Sequence, residues 1–139
     1  MKLAPIAADE LPLVFDSWAK SYRKSPWAGT VPNHLWDTVS RACSSEILER
    51  GARVTAAVVD LPDGTRRVMG YSVSEPGRSV LHWLFVKRDY RGQGVGRALL
   101  TAAITGMAGQ LYYSHRTKAS SKFLGPGWTW DPTSARVKQ

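Results

Sequence analysis

SVLHWLFVKRDYRGQGVGRALL, residues 79–100, decides the fold. After Ser79 its next seven residues are β-branched, aromatic and aliphatic, and their two alternating faces are Leu81, Trp83, Phe85 and His82, Leu84, Val86. Both faces are largely apolar, which predicts a central strand covered on both sides. Three glycines then follow at alternate positions, Gly92, Gly94 and Gly96, between Arg91 and Arg97. Glycine loses more backbone freedom on folding than any other residue. Its clustering where a strand gives way to a helix means that the missing side chains are needed there.

Outward from this segment the periodicity changes. Leu3–Ile6 reads as a short extended start, and Asp9 as the N-cap of a helix over Glu10–Arg23, with Leu11, Val14, Phe15 and Trp18 at helical spacing. SPWAGTVPN breaks the pattern. A second helix is predicted over His34–Arg50, with Gly51 as its C-terminal stop. ARVTAAVVD and RRVMGYSVSE read as a β-hairpin about an Asp-Gly turn. Beyond the glycines come a helix over Gly94–Met107, a strand in GQLYYSH, a short helix in TKASSKFL and a last extended piece in GWTWD. The order predicts one α/β domain over residues 1–139. Its mixed sheet is antiparallel at the start and parallel across the glycine-bearing helix.

Composition bounds the function. A chain of 139 residues buries roughly two thirds of its unfolded surface and needs no staple. Cys43 is the only cysteine, which excludes an internal disulfide and suits a reducing compartment. The N-terminal residues lack a signal-peptide pattern, and no run approaches ~18 apolar residues. The expectation is a soluble, cytoplasmic protein with no membrane contact. The formal net charge of +8 is spread along the chain rather than gathered in a tail. It attracts anions, from a phosphorylated small molecule to nucleic acid.

At the glycine turn, the first N–H groups of the helix have no intrahelical partner, and the helix dipole adds positive charge. Without side chains at Gly92, Gly94 and Gly96, a phosphate can approach the backbone itself. The turn therefore suits a diphosphate. The dinucleotide fingerprint fails because Arg97 follows Gly96 and no acid stands in residues 110–120. The P-loop pattern fails because no Gly-Lys pair follows. What fits is R-x-x-G-x-G, as Arg91-Gly92-Gln93-Gly94-Val95-Gly96, preceded by L-x-V, as Leu84-Phe85-Val86.

This segment resembles the GNAT superfamily of acetyl-CoA-dependent N-acyltransferases, and the predicted element order matches over about residues 3–128. The resemblance implies a three-layer α/β/α domain with a splayed central sheet. It implies that the main chain of Leu84, Phe85 and Val86 pairs with pantetheine like an added strand, and that the segment Arg91, Gly92, Gln93, Gly94, Val95, Gly96 and Arg97 holds the pyrophosphate of acetyl-CoA. No metal is expected, since no spacing in the chain suggests a site for one. Many members carry a tyrosine acid in the last helix, where this chain has Phe123. Tyr113, Tyr112 or Ser114 on the next strand are the candidate substitutes, with water as the alternative proton donor to the thiolate. His82, in the central strand, is the candidate base, ahead of Glu75 and Glu46. His34 and His115 read as isolated.

The acceptor is expected across the first two helices and SYRKSPWAGTVPNHLW, where Trp27 or Trp36 would stack on a planar substrate or fill the core. The chain ends soon after Trp128, and the expectation is a shortened C-terminal hairpin with a site left open, completed by a second subunit as a homodimer, or suited to a large substrate. The reading is an N-acetyltransferase that transfers acetyl directly to a primary amine of a small molecule or peptide. The alternatives are an acyltransferase directed at nucleic acid, and a domain that binds coenzyme A without chemistry.

Overall fold

The computed structural model describes residues 1–29 and 31–135. The elements follow in the order β1 (Lys2–Pro5), α1 (Leu11–Arg23), α2 (Asn33–Glu49), β2 (Arg53–Asp60), β3 (Arg66–Glu75), β4 (Val80–Val86), α3 (Val95–Ile104), β5 (Leu111–Tyr113), α4 (Lys118–Phe123) and β6 (Trp128–Trp130). One six-stranded sheet runs in sequence order. β1 to β4 are antiparallel, while β4–β5 and β5–β6 are parallel, joined by crossovers through α3 and α4. The mixed α/β architecture is the one the sequence implies. In place of a hairpin after β6, a 3₁₀ turn over Pro132–Ala135 packs back on the core. The rest of the expected tail, residues 136–139, lies outside the described residues, as does Thr30.

Helices α1 and α2 cover one face of the sheet through Val14, Trp18 and Ile47, packed on Val54, Tyr71, Val73 and Trp83. Helix α3 covers the other through Val95 and Leu99, packed on Ala57 and Met69. Tyr71 is fully buried, and its hydroxyl meets the Val14 carbonyl at 3.1 Å and Ser17 Oγ at 2.7 Å, which pins β3 to α1. Gly70 lets the strands close, since a Cβ there would lie 2.4 Å from the Phe85 carbonyl oxygen. Gly51, at φ +93°, ends α2 as its position predicts.

Two local expectations need correction. Asp9 does not cap α1. A 3₁₀ turn over Ala8–Glu10 leads into the helix, and Glu10 Oε1 accepts from the Ala7 N–H at 2.9 Å. The strict alternation in β4 also fails. Val73 pairs with Trp83 and Ser74 with Leu81, so His82 is an extra residue, a β-bulge. Trp83 and Phe85 consequently pack toward α1, but Leu81 turns to the opposite face with Ala103 and Tyr113.

Candidate acyl-donor cleft

Strands β4 and β5 pair only through Val80 with Tyr112 and Leu81 with Tyr113. The Ser114 N–H to Leu81 carbonyl bond, 3.1 Å, is the last rung. Beyond it β4 runs on to Val86 while the chain of β5 turns away, and a cleft of about 670 Å³ opens between them. The Lys87 N–H bonds to the Met69 carbonyl on the β3 side. Since backbone groups alternate along a strand, those of Leu84 and Val86 face the cleft. Arg91 Nε meets the Val86 carbonyl at 2.9 Å.

The glycine turn closes one end of this cleft. Gly92 and Gly94 take φ +76° and +85°, left-handed values that disfavour any side chain, and no atom lies within 4 Å of a Cβ built on either. Gly94 caps α3, whose first intrahelical bond runs from Ala98 N–H to the Gly94 carbonyl. The N–H groups of Val95, Gly96 and Arg97 are thus left for a partner outside the helix. Gly96 is helical, and its hydrogen faces the cleft between Val86, Phe123 and Leu84. These features are a cradle that side chains would fill, next to an unpaired strand edge. Both fit a diphosphate joined to an amide-bearing arm.

Of the residues singled out by sequence, His82, Leu84, Phe85, Val86, Arg91, Gly96 and Tyr113 line the cleft. Gly92, Gln93 and Gly94 form the turn at its end, Arg97 follows in the first turn of α3, and the Val95 side chain at the start of that helix is buried against the sheet. Tyr113 is buried against Leu81, Ala103 and Leu124. Phe123, 45 % exposed, stands at the cleft and brings no hydroxyl to it. Glu46 lies apart, 3.7 Å from Arg50 at the surface, and His34 is exposed.

His82 is buried with both ring nitrogens engaged, Nε2 at 2.6 Å from Glu75 Oε1 and Nδ1 at 2.7 Å from Ser114 Oγ. Burial pushes its pKa down to about 4, against the pull of Glu75. Burial alone would raise the Glu75 carboxyl. Hydrogen bonds from Arg50 and His82 outweigh it and hold the group below its ordinary value. Sequence reading missed His115. Its Nδ1 lies 2.7 Å from the same Ser114 oxygen, and its ring packs on Trp18 and Tyr22. Burial, reinforced by His82, pushes it down to about 3. The signal available was its place two residues past β5, next to the splay.

A second cavity, about 160 Å³, lies between α1, α2 and their connection, lined by Trp18, Tyr22, Trp36, Cys43 and His115. Trp36 is fixed there by its indole N–H to the Ala19 carbonyl at 3.0 Å. Trp27 instead packs on Trp130, with the Arg116 guanidinium over both rings at 4.4 and 5.4 Å.

A family profile described as an acetyltransferase (GNAT) domain matches residues 50–124, more than half of the chain and the whole of β2 to α4. The chain belongs to the GNAT acetyltransferase family. Among solved structures, a GCN5-related N-acetyltransferase from Rhodopseudomonas palustris superposes with a TM-score of 0.57 at 17 % identity, over 88 % of this chain and 76 % of that one. Ribosomal-protein-alanine N-acetyltransferase from Brucella melitensis gives 0.50 at 20 % identity, over 76 % of this chain and 65 % of the other. The yncA protein of Salmonella typhimurium, solved with its cofactor acetyl-CoA, gives 0.50 at 18 %, over 76 % and 62 %. At such identities the likeness establishes the fold, and the chain spans less than two thirds of the latter two proteins. No curated protein sequence matches it. Among the described residues, no helix is long and apolar enough to cross a membrane.

Proposed function

We propose that the protein is an N-acetyltransferase that carries acetyl from acetyl-CoA to a primary amine within a ternary complex. The observation that carries this reading is the unpaired edge of β4 running into the glycine turn at the start of α3. Leu84 and Val86 would meet the pantetheine arm through their backbone groups. The N–H groups of Val95, Gly96 and Arg97 would meet the diphosphate, with the exposed Arg91 and Arg97 side chains adding charge. Bound there, acetyl-CoA supplies an activated acyl group and a thiolate that can depart. The protein excludes water with Phe85, Phe123 and Leu124 along the walls.

The amine acceptor would enter from the second cavity, whose aromatic lining suits an amine borne on an apolar or planar group. Cys43 touches that cavity and not the donor cleft, which favours direct transfer over a covalent enzyme intermediate. Phe123 offers no proton, and among the hydroxyls on the cleft wall Tyr113, a phenol and so the most acidic of them, would serve as the acid.

Calorimetric titration with acetyl-CoA, followed by a panel of primary amines with thiol release as the readout, tests this. Micromolar binding and turnover of at least one amine are expected. Binding without turnover would favour a domain that holds coenzyme A for a non-catalytic end. No binding, together with salt-sensitive binding of RNA or DNA, would overturn the reading.

A further inference from the structure

Four side chains form a continuous hydrogen-bonded line from the core rim to the cleft: Glu75, His82, Ser114 and His115. The three links measure 2.6, 2.7 and 2.7 Å. We infer that this line is a proton relay, and that Nε2 of His115 at its cleft end takes the proton from the acceptor's ammonium group. The inference rests on the acyl-transfer reading above and names the base for it.

The direction of each hydrogen bond follows from the fixed end. Glu75 Oε1 accepts from Arg50 at 2.7 and 3.0 Å and from Arg78 at 2.9 Å, so the carboxylate is ionised and can only accept. His82 therefore donates from Nε2. Being neutral in its buried setting, it presents a lone pair on Nδ1. Ser114 must donate to that lone pair, so its oxygen accepts from the Nδ1 proton of His115. The free lone pair of His115 is then on Nε2, which meets no partner among the described residues. The His115 ring borders both the donor cleft and the second cavity, where donor and acceptor would approach each other. Ser114 borders neither and is 3 % exposed, so it passes protons and does not attack the acyl group.

In the step itself, the Nε2 lone pair of His115 bonds to one ammonium proton, and the electrons of that N–H bond remain on the amine as its attacking pair. The Nδ1 proton of His115 moves to Ser114 Oγ as the hydroxyl proton of Ser114 moves to His82 Nδ1. His115 ends neutral with its proton on Nε2, and Ser114 keeps one proton. The positive charge rests on His82 against ionised Glu75. Run in reverse, the line returns a proton to the cleft and resets every tautomer. The relay matters because it carries the positive charge away from the reacting amine and sets it on His82, 2.6 Å from the Glu75 carboxylate. Among the described residues, the carboxylate that touches the line, Glu75, is at the other end. Arg50 and Arg78 also face His82, and Tyr22 packs on His115.

Ring ¹⁵N–¹H spectra of the histidines decide the relay without turnover, with exposed His34 as an internal reference. Wild type should show His82 protonated on Nε2 and His115 on Nδ1, and Ser114→Ala should release His115 to the Nε2 tautomer. Wild-type His115 protonated on Nε2 would overturn the inference. In kinetics, His115→Gln should lower kcat by about 10²- to 10³-fold, the range of general-base catalysis, with KM for acetyl-CoA unchanged. Activity should recover in part with an amine that is neutral at assay pH, a rescue that a structural defect would not show. Ser114→Ala should lose about tenfold, and Ser114→Thr should restore most of it. A His115→Gln enzyme within twofold of wild type would refute the role of the base. A wild type inactive on every amine would instead retire the acetyltransferase reading, and the spectra would still judge the hydrogen-bonded line.

Discussion

Replacing Gly96 with alanine should move stability and donor affinity in opposite directions. Gly96 sits in the first turn of α3 at an ordinary helical φ. A Cβ there would lie 3.6 Å from Val86 Cγ2, 3.7 Å from Phe123 Cζ and 3.8 Å from Leu84 Cδ2, all normal contacts. The free protein accepts the methyl without strain, and alanine surrenders less backbone entropy in a helix, a gain of about 0.5–1 kcal/mol. Unfolding entropy of about 2.1 cal/mol/K per residue converts this to a rise in Tm of about 2–3 °C for a chain of this size. The same methyl faces the cleft next to the N–H groups at the start of α3. A diphosphate oxygen must come within about 3 Å of those groups to bond them. Pushing it back by a fraction of a methyl radius should weaken acetyl-CoA at least tenfold, about 1.4 kcal/mol. Thermal unfolding of the free variant and calorimetric titration measure the two effects on one preparation. Unchanged affinity would refute the placement of the diphosphate. A lower Tm would refute the claim that the free cleft has room for the methyl.

Gly70→Ala should do the reverse, because its Cβ would meet a backbone oxygen at 2.4 Å and β4 would have to shift by close to an ångström. A loss of about 3 kcal/mol in denaturant unfolding is expected, and a wild-type midpoint would show that the strands do not pack as closely as described. Stability should also fall with acid. His82 and His115 titrate near 4 and 3 when folded but near 6.5 when unfolded, so below about pH 6.5 the unfolded chain binds more protons. Their contribution is complete above that pH and disappears toward pH 3–4, reinforced by Glu75, whose lowered pKa acts in the same direction. Denaturant midpoints that stay flat from pH 7 to 5 would contradict this. Arg116→Ala removes the cation shared by Trp27 and Trp130, and should cost about 1 kcal/mol and speed limited proteolysis within residues 24–29. Unaltered cleavage would mean that the clasp does not hold the loop.

Most of the architecture was legible because periodicity and turn chemistry agree along this chain. The apolar spacing in α1, the Asp63-Gly64 turn and Gly51 all act locally, and each stands where the pattern puts it. The glycine turn was legible for the same reason, since φ +76° and +85° are demands on single residues. The bulge at His82 was not, because it depends on how β3 and β4 register, and alternation read from one strand carries no register. That bulge turned Leu81 to the other face. The chemistry at His115 was hidden for a related reason. Residues 82 and 115 are distant in sequence and meet through Ser114 only where β5 lies alongside β4. The Asp9 cap failed because the chain enters α1 through a 3₁₀ turn over Ala8–Glu10, and Glu10 bonds back to the Ala7 N–H without capping the helix.

The two-residue ladder between β4 and β5 also bears on how such a protein can diversify. It divides the sheet into a plate of four strands with long ladders and a plate of two strands, each three residues long. The glycine turn and one wall of the cleft belong to the first plate, while β5, α4 and β6 supply the facing wall. Insertions or exchanges in the small plate touch few of the contacts that hold Tyr71, Ile47 and Leu99 in the core. The two walls are therefore separable in a physical sense: a change within β5, α4 or β6 leaves the long ladders of the first plate intact.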